Sequence, residues 1–214
     1  LHKALWASIK VGVVASVVST TIALFAAKAF ARDKFRGQNI SYGAIMIPFL
    51  IPEIILAVAI LVIWLSLGFK LGLVPVTLGH ILFCTPFAML ILIARIEGFD
   101  FSLEEASRDL GENAWGTFYR VSLPLYLPGI IAALLLSFII SFDEFVLAFF
   151  LTGSDATLPM YMWAQMRFIQ KLPHVLALGA VIIVFTTFIV LLAFWLRNLG
   201  QGKEKAEFGI KIHE

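Results

Sequence analysis

Five long apolar stretches dominate the pattern of the chain, with short polar segments between them. They run over about 4–30, 42–67, 74–96, 126–150 and 175–196. An α-helix rises about 1.5 Å per residue, so roughly 20 apolar residues cross the hydrocarbon core of a bilayer. The pattern therefore predicts an all-α, polytopic membrane helix bundle with five spans, forming a single transmembrane domain over 1–214.

The composition indicates that lipid is the solvent for much of the surface. Hydrophobic residues make up 61% of the 214 residues and charged residues 14%, against about half and a quarter in a soluble domain. This excludes a typical soluble enzyme, a disordered protein and a nucleic-acid-binding protein. The single cysteine, Cys84, excludes intrachain disulfides. No metal-ligand spacing and no nucleophile–base pair is found in the sequence, so we predict no catalytic or metal-binding residues.

Lysine and arginine predict the orientation of the bundle, because they concentrate on the cytoplasmic side of membrane proteins. With five spans, one side carries Lys28, Arg32, Lys34, Arg36, Arg95, Arg108, Arg120, Arg197, Lys203, Lys205 and Lys211, and the other carries Lys3, Lys10, Lys70, Arg167 and Lys171. The larger set places the loop 99–124 and the C-terminal tail in the cytoplasm. The first residue then lies outside, and no cleaved signal pattern precedes the first span, so we expect one missing upstream helix.

The loop 99–124 carries its own helical signals. Ser102 followed by Glu105 fits a capping box, and Gly111 is a natural end for the helix that follows. Asn113 is a candidate cap for a second short helix. This pattern fits a connector that packs on the bundle, and it fits equally a docking element for a soluble partner.

The residues Glu105-Ala106-Ser107, with Gly111 four positions later and then Leu123-Pro124, resemble the EAA loop of binding-protein-dependent ABC importer permeases. The resemblance implies the type I permease fold, in which six spans are usual, so the first family helix is missing here. It also implies that the loop is a coupling helix seated on an ATPase. The implied ATPase-coupling residues are Glu104, Glu105, Ala106, Ser107, Gly111, Leu123 and Pro124, with Glu105 meeting a cationic or polar group.

The same resemblance implies the partners and the location. These are an ABC ATPase dimer, a second and non-identical permease, a solute-binding protein and the lipid bilayer of the bacterial inner membrane. The chain contains no G-x-x-x-x-G-K-[ST] sequence, so ATP and Mg would be bound by the ATPase, with no cofactor in this chain. The segment 141–161 and the pair Pro52-Glu53 resemble permeases for spermidine and putrescine, opines and phosphonates.

Three acids lie in or near the apolar spans, where a charge costs a few kcal/mol or more. Glu53 falls about 16 Å into the second span, and it is either a carboxylate of a cation pathway or a structural group bonded within the bundle. Asp143 and Glu144 lie towards the outer end of the fourth span. They form either an anionic mouth for a cation, or an interhelical pair or structural cap where the helix ends.

Aromatic residues beside these acids are candidates for a gate. Phe142 and Phe145 belong to a stripe that is more typical of packing, yet aromatic rings also hold alkylammonium groups. Tyr161, in the outer loop, belongs either to a surface under the binding protein or to an interfacial aromatic belt.

The sequence thus predicts a transport subunit, not an enzyme: a permease of an ATP-driven importer, with a polyamine as the preferred substrate. Two alternatives remain: a permease for opines, aminophosphonates or another small organic solute, and a secondary transporter in which Glu53 relays protons.

Overall fold

The computed structural model describes residues 1–32 and 34–210, with side chains up to Trp195. The helices are α1 (His2–Arg32), α2 (Gln38–Leu50), α3 (Glu53–Ser66), α4 (Leu73–Glu97), α5 (Ser102–Asp109), α6 (Ala114–Thr117), α7 (Leu123–Asp143), α8 (Val146–Leu151), α9 (Leu158–Gln165) and α10 (Leu172–Ile210). A π-helical turn, Phe118–Ser122, joins α6 to α7, and a 3₁₀ turn, Ile169–Lys171, precedes α10.

Four continuous helical segments are long and apolar enough to cross a membrane, and the bent pair α2–α3 is a fifth candidate span. The prediction of an all-helical membrane bundle is therefore confirmed for the described part of the chain. α1, α4 and α10 each cover one predicted span. The basic C-terminal tail lies beyond the residues whose side chains are described.

The second predicted span, 42–67, is wrong as one continuous helix. α2 and α3 meet at an angle of 104°, and the backbone between them is extended, with ψ of 135° at Ile51. The following residue is Pro52, whose ring disfavours the helical conformation of the residue before it. The break therefore places Glu53 at the start of a new helix, and not along the middle of a long one.

The fourth predicted span, 126–150, also divides. α7 ends at Asp143, and Glu144 is extended with ψ of 116° before α8 begins. Two of the predicted spans are thus interrupted, and an acidic residue lies at each interruption.

The centre of the bundle is built on α1, which packs against α4 and α7. Small residues of α1 allow the close approach, and Ala15, Ser16 and Ser19 are all buried within the chain. α4 and α7 are joined by a 2.7 Å hydrogen bond between His80 Nδ1 and Ser141 Oγ. α3 packs against α8 on one side of this centre, so the two helices that follow the interruptions are neighbours.

The loop 99–124, hereafter the interhelix loop, folds as α5, α6 and the π-helical turn. The predicted capping box is wrong, because neither Ser102 nor Glu105 caps α5; instead Asp100 accepts a 2.9 Å hydrogen bond from the Ser102 N–H. The predicted end at Gly111 agrees with its φ of 91°, a left-handed conformation that favours glycine. Asn113 caps α6, as predicted, by accepting a hydrogen bond from the Gly116 N–H at 2.8 Å.

Candidate functional site

Glu104 is the most deeply buried acid of the interhelix loop, with 0% of its surface exposed. Its carboxylate pairs with Arg32 and, at 3.4 Å, with Lys28. It also accepts hydrogen bonds from Ser122 and, at 3.3 Å, from Tyr126. A buried charge needs such partners to offset its lost hydration. Glu104, predicted with the ATPase-coupling residues, thus faces the bundle and presents no carboxylate at the surface.

The neighbouring residues of α5 face the other way. Glu105 and Ala106 are exposed and Ser107 is partly exposed. Ser107 Oγ lies 3.2 Å from Thr117 Oγ1, so α5 is held to α6. Leu123 packs against the core and Pro124 is exposed, and both lie in the first turn of α7.

Large apolar side chains are exposed around this face. Leu110 is 87% and Trp115 65% exposed, and Leu103 and Tyr119 are also exposed. Exposed apolar groups on a polar, structured loop are typical of a surface that binds another protein.

The two interruptions of the spans bring two acids together. Glu53, the first residue of α3, and Glu144, between α7 and α8, lie close enough for their carboxyl groups to interact. Glu144 Oε1 also accepts a 2.9 Å hydrogen bond from the Leu147 N–H. This bond agrees with the alternative in which Glu144 is a structural cap at the end of a helix. We refer to Glu53 and Glu144 as the acidic pair. The sequence placed these acids far apart and did not indicate their contact.

Asp143 does not join the acidic pair. Its side chain is exposed, and it lines a cleft of about 390 Å³ together with Phe145, Trp163 and Met166. The rings of Phe145 and Trp163 lie 6.1 Å apart, with Arg167 placed over Trp163 at 4.4 Å. Asp143 and Glu144 therefore face different surroundings, as expected for adjacent residues at the end of a helix.

The aromatic residues predicted to form a gate or an outer surface also lie in different surroundings. Phe142 is buried, with the centre of its ring 5.6 Å from that of Phe138 and 6.1 Å from that of Phe185. These contacts favour a packing role for Phe142. Phe145 lines the cleft beside Asp143. Tyr161 is partly exposed in α9 and lines a different cleft with Lys171.

The partners of Glu104 were not predicted from the sequence. Lys28 and Arg32 are separated by one helical turn, as are Ser122 and Tyr126. Each pair presents two hydrogen-bond donors on one face of a helix. This spacing was the feature of the sequence that could have indicated partners for a buried acid.

A bundle of membrane-spanning helices with polar interruptions and a structured, partly apolar interhelix loop defines a membrane transport subunit. The family model of the binding-protein-dependent transport system inner membrane component matches residues 19–202. The chain belongs to this family and is an ABC importer permease, an inner-membrane, multi-pass protein. The family consists of transport subunits that are not enzymes, and membership implies an ATPase and a solute-binding protein as partners.

Individual relatives narrow the comparison. The chain is 31% identical over 203 residues to the spermidine/putrescine transport system permease protein PotC of Escherichia coli (strain K12), covering 94% of this chain and 75% of that protein. It is 30% identical over 168 residues to the putrescine transport system permease protein PotI of the same strain, covering 75% of this chain and 60% of that protein.

Solved structures share the fold. An inward-facing MetNI methionine ABC transporter chain superposes with a TM-score of 0.70 at 19% identity, covering 94% of this chain and 95% of that one. A chain of a bacterial ABC transporter involved in the import of the acidic polysaccharide alginate superposes with a TM-score of 0.66 at 18% identity, covering 90% of this chain and 72% of that one. These likenesses establish the type I permease fold for the chain.

Proposed function

We propose that the chain forms one part of the translocation path for a polyamine such as putrescine or spermidine. The observation that carries the proposal is the acidic pair, Glu53 and Glu144, which lies where two spans are interrupted. Among the described residues, neither acid forms an ion pair with a lysine or arginine. Two carboxylates in contact repel each other unless a proton or a cation lies between them, so this position favours a cationic solute.

The cleft beside Asp143 supports the same substrate class. It combines one carboxylate with the rings of Phe145 and Trp163, and such a set holds an alkylammonium group by charge and by cation–π contact. A diamine carries two positive charges, and the chain offers acids at two places along the path. The curated relatives that transport spermidine and putrescine agree with this choice. In this proposal Phe145 borders the path as its gate, Phe142 packs behind it, and Tyr161 lies at the entrance.

The interhelix loop is proposed to be the coupling element. Its exposed face, with Glu105, Ala106, Ser107 and Gly111, would dock on one subunit of an ATPase dimer that binds ATP and Mg. Leu123 and Pro124 would carry the movement into α7. This arrangement requires the loop and the C-terminal tail to lie in the cytoplasm, and we propose a second, non-identical permease to complete the path.

The substrate is tested by uptake in proteoliposomes that contain the complete importer and its binding protein. We expect putrescine or spermidine to compete for uptake, and opines and aminophosphonates not to compete. Competition by opines or aminophosphonates, with none by a polyamine, would overturn the substrate assignment.

The acids are tested by Glu53→Gln, Glu144→Gln and Asp143→Asn. Each keeps the shape of the side chain, and glutamine at position 144 still accepts from the Leu147 N–H, so the cap of α8 is retained. A charge-assisted contact contributes about 1.5–3 kcal/mol, so we expect maximal uptake to fall at least roughly tenfold. Asp155→Asn, at an exposed aspartate, is the matched control and should transport normally. Full uptake by the Glu53→Gln, Glu144→Gln double variant would exclude the acidic pair from the path.

A further inference from the structure

The partners of Glu104 come from two helices that are far apart in the sequence. Lys28 and Arg32 lie one turn apart near the end of α1, and Ser122 and Tyr126 lie one turn apart where the π-helical turn enters α7. Each pair points from one face of its helix. Two cationic and two hydroxyl groups therefore converge on one carboxylate, which belongs to neither helix.

Glu104 and Glu105, at adjacent positions of α5, thus face opposite surroundings. Adjacent residues of a helix point about 100° apart, so one acid faces the bundle while the other faces outward. Glu104 is 0% exposed and Glu105 is exposed. The contact between Ser107 and Thr117 joins α5 to α6, so a force on the exposed face acts on the loop as a unit.

We infer that Glu104 is a positioning residue that fixes the interhelix loop to α1 and α7 at once, so that the loop and both helices move as one body during transport. The inference rests on the proposed docking of the loop on the ATPase. It deepens that proposal, because a docked loop that slides against the bundle would let ATP be hydrolysed without moving the spans. A buried polar network whose members are paired rigidifies the elements that it joins, and removing one partner of a buried ion pair is strongly destabilising, so such a link is stiff.

A purely structural role for Glu104 makes a different prediction. If the carboxylate only helps the chain fold, its loss lowers the amount of complex, and the complexes that remain work normally. If Glu104 links the loop to the bundle, the remaining complexes hydrolyse ATP but import less. The informative quantity is therefore the number of solute molecules imported per ATP hydrolysed.

The test uses the complete importer in proteoliposomes, with binding-protein-stimulated ATP hydrolysis and uptake measured on the same preparation. Glu104→Gln keeps an acceptor for Ser122 and Tyr126 and removes the charge that pairs with Lys28 and Arg32. We expect solute imported per ATP to fall at least tenfold while the ATPase still co-purifies. Glu105→Gln is the matched control, and it is expected to weaken co-purification without lowering that ratio. An unchanged ratio in Glu104→Gln overturns the inference.

If Glu104→Gln does not insert, the single variant Arg32→Gln and the double variant Lys28→Gln, Arg32→Gln replace it. Arg32→Gln leaves the Lys28 ion pair with Glu104 in place and should lower the ratio only partly. The double variant removes both cations that join Glu104 to α1 and should lower the ratio further, and an unchanged ratio in the double variant overturns the inference.

A distance measurement separates this inference from the substrate proposal. Spin labels at the exposed positions Leu110 in the loop and Ile22 in α1 are introduced after Cys84→Ala. ATP should leave the distance unchanged in the otherwise wild-type importer and should shift or broaden it in Glu104→Gln. A shift in the wild-type loop would overturn the inference, whatever solute the importer carries.

Discussion

The end of α5 permits a sharp test of how the interhelix loop is shaped. Gly111 has φ of 91°, and the turn around it is closed by hydrogen bonds from the N–H of Leu110 to Ala106 O at 3.1 Å and of Glu112 to Ser107 O at 3.2 Å. A Cβ added at position 111 would meet nothing within 4 Å. Any cost of Gly111→Ala within this chain is therefore conformational and not steric.

The magnitude follows from the backbone. A non-glycine residue in the left-handed region costs about 1–2 kcal/mol, and asparagine tolerates this region best. A cost of that size lowers the population of the native turn by a factor of about 5–30. We therefore expect Gly111→Ala to lower the hydrogen-exchange protection of the Glu112 amide by that factor. Gly111→Asn should lower it much less, and both are measured by mass spectrometry of the complex.

The same pair of variants separates two roles of Gly111. If the glycine serves the turn, the alanine variant loses more ATPase co-purification and uptake than the asparagine variant. If it only allows close approach of the ATPase, asparagine, which is the larger residue, is at least as damaging as alanine. Equal protection of the Glu112 amide in alanine, asparagine and wild-type chains would refute the conformational argument.

Two further predictions concern stability and pH. A Cβ at Gly129 would lie 2.8 Å from Arg95 Cγ, so Gly129→Ala should lower the free energy of unfolding by about 1–3 kcal/mol in thermal unfolding. The control is Gly43→Ala, whose Cβ would meet nothing within 4 Å and which should be neutral or stabilising by up to about 1 kcal/mol. Equal unfolding temperatures of the two variants would contradict the steric argument at Gly129. Hydrogen bonds from the Ser102 N–H and side chain lower the pKa of Asp100 below 3.8. The contribution of Asp100 to the order of α5 should therefore be complete above pH 3.8 and be lost as pH falls from 3.8 through the lowered pKa, and Asp100→Asn should abolish that transition in amide exchange.

The spans could be predicted because length and apolarity decide them, whereas the sharp turn between α2 and α3 could not. Pro48, Pro86 and Pro128 all lie inside helices, and only Pro52 stands at a break of 104°. A proline removes one donor and disfavours a helical residue before it, but neighbouring helices decide whether the chain bends slightly or turns sharply. Residue type alone therefore marks where a break is possible, and packing selects the one that occurs.

The interhelix loop illustrates the same limit for side chains. Glu105, Ala106 and Gly111 resemble the EAA loop of the family, and this resemblance can be found in the sequence because those residues form a local pattern. The role of Glu104 depends on donors that lie in α1 and α7, and no local pattern joins Glu104 to Lys28 or Tyr126. The acidic pair was missed for the same reason, since Glu53 and Glu144 meet only through the packing of α3 on α8.

α7 connects the two candidate sites through one element. Tyr126, near its beginning, contacts Glu104, and Asp143, its last residue, directly precedes Glu144 of the acidic pair. α7 has 21 residues, which at about 1.5 Å per residue gives a length of roughly 30 Å, the thickness of the hydrocarbon core. A rigid displacement of this helix must therefore act on the loop at one end and on the backbone beside the acidic pair at the other. Because the chain is interrupted at Glu144, α8 packs against α3 as a separate segment, and a displacement of α7 need not carry α8 with it.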